Sequence, residues 1–154
     1  MGRFVTGVAV VTTRAASGEL AGLTVNSFAS LSLSPPLVLW SLALSAASFP
    51  AFETCTHFAV NVLAEDQAHI AERFAKSGGD KFIGLPMHES LGGAPLLEDV
   101  TANFACRITA RLPGGDHIIV VGEVLSYEQS TRAPLLYTSR NYHRLGEIQS
   151  RNSD

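Results

Sequence analysis

Charge is what this chain has least of: Asp, Glu, Lys and Arg make up 16% of its 154 residues, against about 25% in average globular proteins. Set beside 46% hydrophobic residues, that scarcity excludes a disordered segment and a coiled coil, both of which are rich in charge. Eleven Lys and Arg oppose fourteen Asp and Glu, a formal net charge of −3. The basic footprint that meets nucleic acid and the cationic face that meets lipid headgroups are both missing. Cysteine is scarce as well. Cys55 and Cys106 stand far apart and form no CxxC pair, which excludes a disulfide framework and a four-cysteine metal site and leaves buried, reduced thiols. The histidines at 57, 69, 88, 117 and 143 show neither an HxxxH nor a Cys2His2 spacing, so no zinc is expected. No apolar run reaches the ~20 residues of a bilayer span, and Met1-Gly2-Arg3-Phe4 has no secretory-leader features, so a cytoplasmic location is expected.

No Ser/Pro linker, repeat or low-complexity tract divides the chain. One domain over residues 1–146 is expected, followed by a polar tail over 147–154, and a domain of this size buries ~68% of the surface its unfolded chain exposes. Its pattern is mainly that of strands. Phe4 to Thr13 is rich in β-branched residues, and the turn Ala15 to Glu19 leads into Leu20 to Phe28. Leu37 to Leu42 follows Pro35-Pro36, and Phe58 to Leu63 makes a fourth strand after a short helix that Ser48 would cap. Asp66 is the expected N-cap of a helix over Gln67 to Lys76, with Ile70, Ala71, Phe74 and Ala75 on its inner face. Ser77 to Pro95 reads as a long loop. Beyond it Phe104, Cys106, Ile108, Ala110 and Leu112 alternate with Ala105, Arg107, Thr109 and Arg111, and Pro113 to Asp116 turns the chain back into His117 to Leu125. About six mostly antiparallel strands with two helices describe a mainly β protein, a small β-barrel with helical decoration. The joining turns are too short for a parallel βαβ sheet.

Several sharp motifs are absent. There is no GxSxG elbow and no GxGxxG between a strand and a helix, and Ser77-Gly78-Gly79-Asp80-Lys81 is not a Walker A loop. What is present is a run of small hydroxyl and amide side chains: Thr24, Asn26, Ser27, Ser30, Ser32 and Ser34, then Ser41, Ser45 and Ser48, with no Lys or Arg between Arg14 and Arg73. Such a stretch either lines a groove for a flat polar ligand, with amides and hydroxyls holding a phosphate, or simply decorates strand edges and turns.

The order of residues separates these readings. Gly7 to Thr13, Ala21 to Ser32 (AGLTVNSFASLS), Pro35 to Val38, Phe58 to Leu63, Asp80-Lys81-Phe82, Gly115-Asp116-His117, Gly122-Glu123-Val124 and Pro134 to Tyr137 with Arg140 and Tyr142 together resemble the flavin reductase-like family over nearly the whole chain. The resemblance implies an FMN-binding split barrel that forms a homodimer. It also implies an NAD(P)H:flavin oxidoreductase, which passes hydride from NADH or NADPH to FMN or FAD and hands reduced flavin to a partner flavin-dependent monooxygenase. Carried over residue by residue, Thr24, Val25, Asn26, Ser27 and Phe28 follow the flavin ring and ribityl chain, with Ser30 and Leu31 nearby. Ser45, Ala46, Ala47 and Ser48 cradle its phosphate, and Lys81 and Phe82 either approach it or lie on solvated surface. His117 is either an interface histidine or the group beside flavin and nicotinamide, and is the candidate catalytic residue. Arg140 and Tyr142 are either surface residues or NAD(P)H contacts. The family's helical lead-in has no counterpart before Phe4, which implies a short or truncated start. A flavin-storage protein on the same fold, or an oxidase resembling pyridoxamine-phosphate oxidase, is the alternative; the latter would want an Arg and Lys cluster that Ala15 to Glu72 lacks.

Overall fold

The computed structural model describes residues 2–147. Its strands are β1 (Thr6–Gly7), β2 (Ala9–Arg14), β3 (Leu20–Val25), β4 (Ala29–Leu33), β5 (Pro36–Ala43), β6 (His57–Val62), β7 (Met87–Glu89), β8 (Pro95–Leu97), β9 (Ala102–Gly114), β10 (His117–Gln129), β11 (Leu136–Thr138) and β12 (Asn141–His143). Helix α1 (Phe49–Thr54) lies between β5 and β6, and α2 (Ala68–Ala75) between β6 and β7. Every ladder is antiparallel, as the short connections require. The principal sheet has seven strands in the order β3-β2-β6-β9-β10-β5-β4, beside small sheets β1-β11-β12 and β7-β8. No ladder joins β3 to β4 among the described residues.

Alternation along the strands builds two cores, one on each face of the sheet. In β2, Ala9 and Val11 enter a cluster with Trp40, Leu42, Phe58 and Val120, while Val10 and the preceding Val8 enter another with Ile70, Phe74 and Leu97. Val25 of β3 and Val38 of β5 come from opposite ends of the strand order yet meet in the first cluster, so the sheet coils around it. Trp40 sits edge-on to Phe52 at 5.1 Å and to Phe58 at 5.9 Å, packing favoured by the ring quadrupoles. Gly122 makes that fit possible: a Cβ there would stand 2.5 Å from the Phe58 ring.

A buried polar network fixes the β7–β8 hairpin to the sheet. Asn61 Nδ2 donates to the Val10 carbonyl at 3.0 Å and to Thr12 Oγ1 at 3.2 Å, and its Oδ1 accepts from the Leu97 N–H and from Asn103 Nδ2, both at 2.8 Å. The Thr12 hydroxyl donates to the Pro95 carbonyl at 2.5 Å.

The sequence pattern needs correcting in several places. Phe4 to Thr13 is broken at Val8 into β1 and β2, leaving Phe4 and Val5 exposed. Leu20 to Phe28 ends as a strand at Val25, and the hydroxyl-rich stretch beyond it forms β4. The expected loop from Ser77 to Pro95 contains β7, and Leu136 to His143 forms a hairpin, so the described residues hold twelve strands rather than about six. Helix α2 starts from Gln67, whose Oε1 accepts the Ala64 N–H at 2.9 Å. Asp66 pairs instead with Arg132 at 2.5 Å, a hydrogen bond that lowers the Asp66 pKa. Ala75 is exposed at the end of α2, and Leu112 is 49% exposed because β9 runs past the edge of the core. Ala105, expected outward, is buried at the β6–β9 ladder opposite Ala59. Cys55 and Cys106 are free and buried, and burial pushes the Cys106 thiol up to about 12. Residues 148–154 of the expected tail lie outside the described residues. No helix among the described residues is long and apolar enough to cross a membrane.

Candidate functional site

Edge strand β3 borders a cleft of about 690 Å³, inside the roughly 300–1,000 Å³ typical of small-molecule sites. Its floor is Leu20, Ala21 and Gly22; Ala47 and Ser48 form one wall, and Gly78 to Ile83 the other. Gly22 lies under α2, where a Cβ would come 2.9 Å from the Phe74 ring. Phe82 is buried edge-on to Phe74 at 5.1 Å, and Asp80 Oδ1 accepts the Phe82 N–H at 3.0 Å. This anchors the loop while Gly78, Gly79 and Gly84 take positive φ, which glycine allows without strain.

The cleft's donors are short of partners. Lys81 Nζ reaches only carbonyls, Phe74 O at 3.3 Å and Gly22 O at 3.5 Å, and partial burial lowers its pKa. Ser48 precedes α1 without capping it through its side chain, and Pro50 occupies the first turn. Among the described residues, neither Ala47 nor Ser48 donates its N–H to a backbone carbonyl. Lys81, Ser48 and Ala47 thus line a cleft with the Leu20 to Gly22 floor, together with the carboxylates of Glu19 and Asp80, the latter engaged with the Phe82 N–H. That donor set suits an anionic group at one end of a flat ligand.

The other sequence candidates are distributed around this edge. Thr24, Val25, Asn26 and Tyr142 line a smaller cleft of about 210 Å³ with Val8, Ala75 and Tyr137. Thr24 spends its hydroxyl on the Ala71 carbonyl at 2.6 Å. Burial, with Glu72 and Tyr137 nearby, raises the Tyr142 pKa. Ser27 Oγ accepts the Ser41 N–H at 2.9 Å, so it holds the β3–β4 connection to β5 instead of offering a free hydroxyl. Phe28 packs on Phe104 at 5.4 Å, while Ser30 and Leu31 are exposed on β4. Ser45 is exposed, and Ala46 packs against the first core.

His117 begins β10 opposite Ala43, and the neighbouring Asp116 carbonyl accepts the Leu44 N–H at 3.0 Å. That places His117 at the foot of the segment leading to Ser48. Its Nδ1 contacts the Asp116 carboxylate at 2.7 Å, which lowers the Asp116 pKa. Arg140 stands exposed at positive φ in the β11–β12 turn, whereas Tyr142 faces back onto Tyr137, so the pair does not converge within one chain. Sequence reasoning missed Leu20 to Gly22, Gly78 and Gly79 as cleft residues. The two glycines were visible only as a failed nucleotide motif.

The fold and the β3-edge cleft define an antiparallel, mainly β domain with a cleft of small-molecule size. The match to the model described as "Flavin reductase like domain" extends over residues 1–146, and the chain belongs to that family. It is 44% identical over 144 residues to "FMN reductase (NADH) SmoA" of Agrobacterium fabrum, covering 94% of this chain and 82% of that one. It is 42% identical to "Actinorhodin polyketide dimerase" of Streptomyces coelicolor, covering 92% and 81%. It is also 38% identical to "Flavin-dependent monooxygenase, reductase subunit HsaB" of Rhodococcus jostii, covering 92% and 73%. Among solved structures, "NADH:FAD oxidoreductase SgcE6 in complex with NAD and FAD fragments" of Streptomyces globisporus superimposes with a TM-score of 0.89 at 36% identity, covering 94% of this chain and 88% of that one.

Proposed function

We propose that the protein is an NAD(P)H-dependent flavin reductase that passes hydride from NADH or NADPH to FMN or FAD and supplies reduced flavin to a partner monooxygenase. The observation that carries this reading is the β3-edge cleft, in which Ser48, Ala47 and Lys81, whose ammonium is held only by two carbonyls among the described residues, stand beside the Leu20 to Gly22 floor. Those residues fit a flavin mononucleotide unit. Bound flavin would supply the hydride-accepting ring; the chain's task is to hold and align it. Lys81 and Ser48 anchor the phosphate, Thr24 to Phe28 run beside the ring, and the Leu20 to Gly22 floor keeps water from its face. His117 and Tyr142 orient the nicotinamide, with Arg140 at its phosphates. No side-chain nucleophile or obligatory base is needed, since hydride passes directly between the two cofactors.

The fold is read as a split barrel and the working unit as a cytoplasmic homodimer. Leu33 is 93% exposed on β4 and Tyr127 62% exposed on β10, apolar side chains that a partner subunit would take out of water. Tyr127 stacks on Phe104, which in turn packs on Phe28, so this face continues to the β3–β4 connection.

The test is nicotinamide oxidation by purified protein with each pairing of NADH or NADPH with FMN, FAD or riboflavin. Flavin-dependent oxidation is expected with at least one pairing. If no pairing gives any, the reductase reading fails, and a flavin-binding protein without turnover or a different activity on this fold takes its place.

A further inference from the structure

The loop wall of the flavin cleft is held by a residue that does not line that cleft. Gly78 to Ile83 face the cleft, whereas the next residues, Gly84, Leu85 and Pro86, line a separate cleft of about 400 Å³ together with Arg73. Arg73 stands half-buried in the last turn of α2. Its Nη1 donates to the Ile83 carbonyl at 3.0 Å, the only side-chain hydrogen bond that reaches the backbone of this loop from another element among the described residues. Resting on the reductase reading, we propose that Arg73 is a positioning residue for flavin binding: its guanidinium fixes the Ile83 carbonyl and, through the loop, the place of the Lys81 ammonium at the phosphate.

The loop has little else to set its path. The buried Phe82 ring fixes one point, on Phe74, but a ring contact leaves the adjoining peptide plane free to turn. Ile83 is 69% exposed, so its side chain adds no anchor. Gly84 follows at positive φ, and a glycine there gives the Ile83–Gly84 peptide other conformations once the Arg73 bond is gone. Lys81 has no carboxylate to hold it: no ion pair to it exists among the described residues, and its carbonyl contacts, at 3.3 and 3.5 Å, lie beyond the usual ~2.7–3.2 Å. The cleft also penalises a misplaced ammonium. Glu19 and Asp80 line it as well; the Asp80 carboxylate is turned to the Phe82 N–H, and Glu19 is exposed at the end of the β2–β3 turn. Two carboxylates against one ammonium repel a phosphate unless the ammonium stands nearer to it than they do. Affinity therefore depends on where Lys81 is held, and not on its charge alone.

Fluorescence titration of the full chain with FMN and with riboflavin, which lacks the phosphate, tests the proposal. Arg73→Met is expected to raise the Kd for FMN about fivefold, the worth of one hydrogen bond, and to leave riboflavin within about twofold. Because Arg73 acts through Lys81, the same substitution is expected to add less than about twofold in a Lys81→Met background, yet its full effect in a Ser48→Ala background, where Lys81 remains. An unchanged FMN Kd in Arg73→Met would overturn the proposal. Equal loss of both flavins would make Arg73 a support of the fold, and an undiminished effect in the Lys81→Met background would make it a direct contact of the phosphate; either also overturns it. Failure of the wild type to bind either flavin would instead overturn the reductase reading, so the two failures are distinguishable.

Discussion

Asn61 and Ser48 are small polar residues of the same chain, and they differ in what they face. Asn61 is fully buried, and its amide is bonded to Val10, Thr12, Leu97 and Asn103. Ser48 stands half-buried at a cleft, makes no side-chain cap, and faces across that cleft the wall that carries Lys81, whose ammonium finds only carbonyls among the described residues. A buried polar group with its partners inside the protein specifies structure, because leaving any one of them unmet is costly. Polar groups that converge on a cleft with partners still to find specify a ligand. The contrast separates the β6–β9 centre of the sheet, where the polar network pins the β7–β8 hairpin, from the β3 edge.

The largest effect belongs to the buried side. Asn61→Leu, which strands the buried Leu97 N–H and takes one partner each from Asn103 and Thr12, is expected to cost about 3–5 kcal/mol in urea unfolding. A loss below about 1 kcal/mol would mean that the network is not a structural pin. Gly122→Ala comes next, at about 1–3 kcal/mol, since its Cβ must displace the Phe58 ring. At the cleft the order reverses, with binding moving and stability holding. Lys81→Met is expected to weaken FMN about tenfold, or ~1.4 kcal/mol, while riboflavin, which lacks the phosphate, binds as before. Equal loss of both would place Lys81 in the fold and not at a phosphate. His117→Ala is expected to reduce turnover about fivefold, the worth of one hydrogen bond, with flavin Kd within twofold; equal effects on both would refute its assignment to the nicotinamide.

The smallest effect is on pH dependence. Burial holds the Lys81 pKa below the ordinary 10.5, so affinity for the flavin phosphate falls as pH rises through that lowered value, at lower pH than an ordinary lysine would allow. Lys81→Arg, which stays protonated, should retain affinity over the same range. Stability moves the opposite way: between the lowered folded pKa and the ordinary unfolded one, the unfolded chain binds more protons, so stability rises slightly with pH.

Much of this contrast was legible in the sequence. Alternation in Phe104 to Leu112 and β-branching in Phe4 to Thr13 marked strands, because each strand's pleat presents successive side chains to opposite faces. Of the cation-free hydroxyl run, only Ser48 lines the cleft, while Ser30 and Ser32 lie on β4 at the opposite edge of the sheet. What stayed hidden depends on tertiary partners. Asn61 looks like any strand asparagine until Asn103 and Leu97 arrive from elsewhere in the chain. Ser27 looked free until the Ser41 N–H met it across β5. The strands β7, β11 and β12 are each three residues long, too short for a periodic signal, and Gly78-Gly79 became cleft residues only when Phe82 anchored their loop on Phe74.

The central claim is that the β3-edge cleft binds the flavin that this chain reduces. Its most direct test is anaerobic mixing of protein, a stoichiometric flavin nucleotide and NADH, following the flavin's visible absorbance in wild type and in the Lys81→Met, Ser48→Ala double variant. Wild type is expected to bleach the flavin in one turnover, and the double variant to do so only at much higher flavin concentration with the same limiting rate. Bleaching that is identical in both proteins, or absent from wild type, would contradict the account.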